Sequence, residues 1–157
     1  RLGGDLHLAV AGNPVHIPAF RARAEQLGIA ARVHFLGSLR DMAPAYAAAD
    51  LLVHPTTEDT YAMVVLEALG HGLPVIVSAA AHCGIAAELR DGVDALIVDD
   101  PRDADALAQA IARLRADATL AAALGQAGRS FAAARDWGAR AAQQEALYVE
   151  ALGAVTR

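Results

Sequence analysis

No lysine occurs anywhere in this chain, and all 13 of its basic side chains are arginine. Amine nucleophiles and Schiff bases are therefore excluded; alongside so much alanine, the arginine-only usage reads as codon composition. Cysteine is almost as scarce. Cys83 stands alone, which excludes an internal disulfide and fits a reducing compartment. Its neighbours His82 and His71 supply no Cys-x-x-Cys or comparable ligand spacing, so no metal site is expected. Aromatic residues make up 4% and the formal net charge is −5, a poor match to a nucleic-acid surface, which needs a basic patch and stacking rings. No apolar run reaches the roughly 18 residues of a membrane span.

What is abundant is hydrophobic side chain, at 55% against 20% charged. That balance describes a packed protein rather than a disordered one. The 157 residues suffice for one domain with a real core and fall short of two ordinary ones. The opening Arg1-Leu2-Gly3-Gly4 carries neither an initiator Met nor a signal peptide, and the chain is expected to be a fragment of a longer protein.

Short apolar runs alternate with helical patterns over the first two thirds. Strands are predicted at Leu6–Val10, Arg32–Leu36, Leu51–His54, Pro74–Ser78 and Ala95–Val98. Between them lie helices at Ile17–Leu27, Met42–Ala49 (with Asp41 as N-cap) and Tyr61–Gly70. Strands separated by helices imply an α/β fold, a Rossmann-like parallel sheet of about five strands with helices on both faces. From Pro101 the pattern is helical only, with helices to about Ala116, over Leu120–Ala134 and over Trp137–Leu152. Residues 1–157 thus read as one domain, of which 101–157 form a helical tail. The tail arginines Arg129, Arg135 and Arg140 read as a solvated face.

Ligands of such sheets bind beyond the carboxyl ends of the strands. Those ends carry Gly12-Asn13, Gly37-Ser38-Leu39, Thr56 to Thr60, and Ala79 to Gly84. Glu67 is the only charged group between Thr60 and Gly70, on a helix apolar on nearly every side, which belongs inside a protein. A carboxylate carried inside costs several kcal/mol unless something hydrogen-bonds it. With Arg40 and Arg90 the nearest basic groups, a hydroxyl-rich ligand or backbone amides are the expected partners. Glu58-Asp59 precede the same helix, whose first amides and positive dipole end suit a diphosphate. Acids flanking such a helix start suggest a polyhydroxylated, phosphate-bearing ligand.

The run from His54-Pro55 through Glu58-Asp59-Thr60-Tyr61-Ala62 and Leu66-Glu67-Ala68 to Gly72-Leu73-Pro74-Val75 resembles the donor-site signature of retaining GT-B glycosyltransferases of family 4, the glycosyl transferases group 1. Phe35-Leu36-Gly37, Tyr46-Ala47-Ala48-Ala49-Asp50 and Leu8-Ala9-Val10-Ala11-Gly12 resemble segments that precede the signature, and the likeness covers about Leu6 to Leu114. The His-Pro start also resembles lipopolysaccharide-core glucosyltransferases.

The resemblance implies that this is the C-terminal, donor-binding half of a GT-B fold. It implies transfer of a sugar from a UDP- or GDP-linked donor to a glycan or lipopolysaccharide-type acceptor. Configuration would be retained, with no metal or other cofactor. Glu67 would accept the ribose hydroxyls, and Asp59, as the catalytic acid position, would contact the donor sugar. Thr60, Tyr61, Ala62, Met63 and Val64 would line the sugar and phosphates through their amides, with Gly12 and Asn13, and Gly37, Leu39 and Asp41 near the base.

The implied partners are the nucleotide sugar and an N-terminal acceptor-binding domain, with no nucleic acid. The implied location is cytoplasmic, the full-length enzyme being peripheral at the inner face of the plasma membrane. The family's phosphate-binding Arg and Lys would precede Arg1, so this piece alone is expected to be inactive. Asp59 is one methylene shorter than the usual Glu, Glu58 competes for its role, and Thr60 and Ala62 replace residues commonly glycine. These departures support a second expectation, a non-catalytic α/β module that binds nucleotides or mediates assembly.

Overall fold

A computed structural model of the chain describes residues 6–135 and 137–155. Among them, short parallel strands alternate with helices close to where the hydropathy pattern puts them. In chain order these are β1 (Leu8–Ala11), α1 (Ile17–Gln26), β2 (Val33–Gly37), α2 (Ala43–Ala48), β3 (Leu52–His54), α3 (Met63–Gly70), β4 (Val75–Ser78) and β5 (Leu96–Val98). The helices α4 (Ala104–Ala116), α5 (Ala118–Ala133) and α6 (Trp137–Val155) complete the order. The boundaries follow local chemistry. Asp41 accepts the Ala43 amide at 2.9 Å as α2 begins. Asp103 accepts the amides of Asp105 and Ala106 to open α4, and Asp117 that of Leu120 to open α5, satisfying donors that a helix start leaves without partners.

Where the alternation implies one sheet of about five strands, hydrogen bonding joins the strands as two sets. β1 pairs with β2, and β3-β4-β5 form a second parallel sheet in that order. Alternation reveals that strands exist but carries no information on which ladders close. The division recurs in the packing: the chain falls into two compact units, one ending at Ala45 and one beginning at Tyr46.

In the first unit Leu8, Ala9 and Val10 align with Val33, His34 and Phe35, and a register shift then brings Ala11 opposite Gly37. In the second, all four residues of β4 are buried, as a central strand covered on both faces requires. Its core gathers Ile76, Leu96, Val98, Leu114 and Leu124. Helix α5 lies close against α3 because Gly128 faces Leu69 and Gly125 faces the Gly72 carbonyl, where a methyl group would collide. Among the described residues no helix is long and apolar enough to cross a membrane.

Just before β5, the buried Asp94 accepts three hydrogen bonds from Arg90: from its amide at 3.0 Å, Nε at 2.8 Å and Nη2 at 2.9 Å. The Arg90 side chain holds the Asp94 carboxyl below the usual aspartate range, against a burial effect of opposite sign. A depressed folded-state pKa contributes stability above the unfolded pKa of ~3.9 and loses it as pH falls through the folded value. Asp94→Asn is therefore expected to cost about 2 kcal/mol near neutral pH. The gap to the parent should close in acid, where both side chains are neutral. Thermal unfolding across pH checks this; a gap that stays constant into acid would refute it.

Candidate active site

The loop from β3 to α3 is built around Asp59. One carboxylate oxygen, Oδ1, accepts the amides of Tyr61 at 3.2 Å and Ala62 at 2.6 Å. The other, Oδ2, stands 3.2 Å from His54 Nε2 at the end of β3. The main chain of Asp59 is clasped as well: its amide donates to the His82 carbonyl, and its carbonyl accepts from Gly84. A side chain on Gly84 would overlap the Thr60 carbonyl oxygen, so this second loop, following β4, must be glycine at its closest point. Asp59 was expected to present its carboxylate to a donor sugar. The geometry gives it a different duty first, as the acid that folds the turn. Three of roughly four acceptor positions on a carboxylate are taken, and the side chain keeps 32% of its surface. The neighbouring Glu58 is exposed, with no partner for its carboxylate among the described residues.

The turn ends on a strained residue. Ala62 has φ 62° and ψ 68°, a left-handed conformation that costs a non-glycine residue roughly 1 kcal/mol. This is a position where glycine is expected from the signature, and the chain retains the glycine-like backbone with an alanine in it. From there α3 winds up, with Val65 and Leu66 donating to the Ala62 carbonyl. The amides of Met63 and Val64 have no acceptor among the described residues, as at any helix start.

Glu67 corrects the sequence reading. It is exposed, not carried inside. Val65, Ala68 and Leu69 face the core, while Met63, Val64, Glu67, Gly70 and His71 form the open face. Because both faces of α3 are apolar in sequence, nothing in the pattern distinguishes them. Nor is the carboxylate without a protein partner. The Tyr46 hydroxyl donates to Oε2 at 2.8 Å, leaving Oε1 unengaged among the described residues. Tyr46 is buried, with its ring tilted against His71 at a centroid distance of 5.1 Å. Burial, then the hydrogen bond and charge of Glu67, push its pKa far up, so the phenol stays a neutral donor. Tyr46 belongs to a segment that precedes the signature, but its pairing across 21 residues carries no sequence signal.

At the start of α3, Tyr61, Met63, Leu66, Glu88, Arg135 and Arg140 line a cavity of about 320 Å³. The Tyr61 hydroxyl is buried there without a hydrogen-bond partner among the described residues. Arg135 donates from Nε to Glu88 at 2.8 Å and lies 3.6 Å from the Phe131 ring centroid; Arg140 Nη2 stands 3.9 Å from Glu88. Arg129 donates to the His71 carbonyl at 3.1 Å. Arg129 thus ties α5 to the end of α3, and Arg135 and Arg140 reach Glu88 after β4; Arg129 and Arg140 remain exposed, as a solvated face implies. Cys83 is buried beside Asp59, and burial first, then that negative charge, push its thiol pKa up. A thiol so placed is a poor nucleophile. Among the described residues no three His, Cys, Asp or Glu side chains gather to hold a metal.

In the first unit, Gly12, Asn13 and Gly37 come together at the carboxyl ends of β1 and β2. The Gly12 amide donates to the Gly37 carbonyl at 2.8 Å, and Gly37 turns at φ 69°, a value glycine adopts freely. Asn13 Oδ1 accepts the Val15 amide at 3.1 Å. Leu39 is exposed, and the Asp41 carboxylate is engaged at the start of α2. This cluster and the α3 group lie in different units.

Known proteins resemble the chain over most of its length. It is 32% identical over 117 residues to the lipopolysaccharide glucosyltransferase WaaG of Escherichia coli K12, covering 74% of this chain and 31% of WaaG. A D-inositol 3-phosphate glycosyltransferase of Mycolicibacterium paratuberculosis is 39% identical over 140 residues, covering 84% of this chain and 31% of that protein. Among solved structures, the sucrose-phosphate synthase of Thermosynechococcus elongatus superposes with a TM-score of 0.82 at 32% identity. That match covers 96% of this chain and 39% of the synthase. The chain thus spans well under half the length of the curated relatives it matches. The family model described as glycosyl transferases group 1 matches residues 1–117, and with these likenesses the chain belongs to the group 1 glycosyltransferases.

Proposed function

We propose that this chain is the donor-binding part of a retaining glycosyltransferase that takes a sugar from a UDP- or GDP-linked donor. The observation that carries the reading is Glu67. Its carboxylate stands on the open face of α3; among the described residues Oε1 is unengaged and the Met63 and Val64 amides, one turn before it, have no acceptors. A carboxylate matches the paired hydroxyls of a ribose, and free amides at a positive helix end match a diphosphate. The mechanism is electrostatic positioning. Helix amides stabilise charge on the departing diphosphate, Glu67 holds the ribose in register, and Asp59 keeps the turn that aims both. Thr60 to Val64 line the sugar and phosphates. No metal takes part.

The acceptor is a glycan or lipopolysaccharide-type molecule bound by an N-terminal domain, and this part alone does not turn over. The full-length enzyme works in the cytoplasm, at the inner face of the membrane. Calorimetric titration with UDP and GDP tests the donor role. Glu67→Ala is expected to weaken the preferred nucleotide at least tenfold, since a hydrogen bond to a charged group is worth about 1.5–3 kcal/mol. Unchanged affinity would reject it. The engagement of Asp59 by the Tyr61 and Ala62 amides and by His54 favours a second reading, a module that binds nucleotide without transferring sugar. Turnover of a nucleotide sugar by the full-length protein would decide against that one.

A further inference from the structure

We infer that Tyr46 is a positioning residue for the nucleotide's ribose, acting through Glu67; this rests on the donor reading above. An exposed glutamate has several free torsions, and ordering such a side chain on binding costs about 0.5–1.5 kcal/mol. Here that cost is met in advance. The Tyr46 hydroxyl holds Oε2 at 2.8 Å, and the phenol cannot follow a wandering carboxylate. It is 5% exposed, its ring leans on His71, and its oxygen is 3.4 Å from the Val64 carbonyl of α3 itself. A hydroxyl has one proton to donate, and the shorter contact to an anionic oxygen claims it.

The consequence is a carboxylate whose orientation is fixed before ligand arrives. One oxygen is partly occupied, and the other keeps both lone pairs for a hydroxyl donor. This differs from a packing role, because the benefit of Tyr46 then exists only for ligands that present hydroxyls to Glu67. A ring held for packing alone would support every ligand of the site equally.

The test compares ribose with a ribose that has lost its diol. UDP, GDP and their 2′,3′-dideoxy counterparts are titrated against the full-length protein, its Tyr46→Phe variant and its Glu67→Gln variant, with the melting temperature of each. Phenylalanine keeps the ring and its contact with His71. The expected result is about tenfold weaker binding of the preferred ribonucleotide to Tyr46→Phe, with dideoxynucleotide affinity unchanged. An equal loss for both ligands would make Tyr46 structural and overturn the inference, as would no loss for either. If Glu67→Gln loses the discrimination between the two riboses while Tyr46→Phe keeps it, only the Tyr46 role fails. If the parent protein does not discriminate them at all, the ribose role of Glu67 fails as well.

Discussion

Gly84→Ala is expected to cost about 3 kcal/mol or more and to abolish tight nucleotide binding. The added methyl overlaps the Thr60 carbonyl oxygen, and a backbone atom cannot swing aside as a flexible side chain would. Ordinary overpacking costs about 1–3 kcal/mol; here relief requires moving one of two loops that are hydrogen-bonded to each other through Asp59, His82 and Gly84. If the turn moves, Asp59 loses its hold on the Tyr61 and Ala62 amides, and α3 starts in a different place. Thermal unfolding reads the first effect and UDP or GDP titration the second. A Gly84→Ala protein with parental melting temperature and affinity would show that the two loops do not constrain one another.

The second large effect concerns the seam between α3 and α5. Leu69→Ala is expected to cost about 2–5 kcal/mol, since Leu69 is fully buried and its removal leaves a cavity. Gly128→Ala alone should also destabilise, by about 1–3 kcal/mol less the helix-propensity gain of roughly 1 kcal/mol, because the new methyl meets Leu69 Cδ2. Combined, the two changes should cost clearly less than their sum: the methyl enters space that the shortened side chain vacates. Denaturant unfolding of the two singles and the double gives the coupling. Strict additivity would mean that the helices separate instead of interlocking.

The sequence shows the skeleton of this site better than its polar wiring. Strand and helix positions follow from hydropathy period, and the capping roles of Asp41, Asp103 and Asp117 are local features that a linear reading can find. The signature from His54 to Val75 locates the acids and the turn. It does not show that Asp59 spends its carboxylate on the Tyr61 and Ala62 amides, because an acid before a helix reads equally well as ligand contact or cap. Glu67 was expected inside on the strength of apolar neighbours, yet Met63 and Val64 are among the residues left open beside it. Hydropathy identifies an apolar helix but not which of two apolar faces is covered. The pairings Tyr46–Glu67 and Glu88–Arg135 join residues 21 and 47 apart, and such distances are set by tertiary packing alone. The separation of the strands into two ladders is likewise a matter of which edges meet, and no residue pattern records it.

Cys83 offers a last consequence. It is the chain's only thiol, and it forms a strand-like bridge with Asp59 in the clasp that shapes the turn. Buried and raised in pKa, it cannot meet an alkylating reagent until that clasp parts. The modification rate of this one sulfur therefore serves as a built-in clock for local opening, and it needs no label and no engineered reporter.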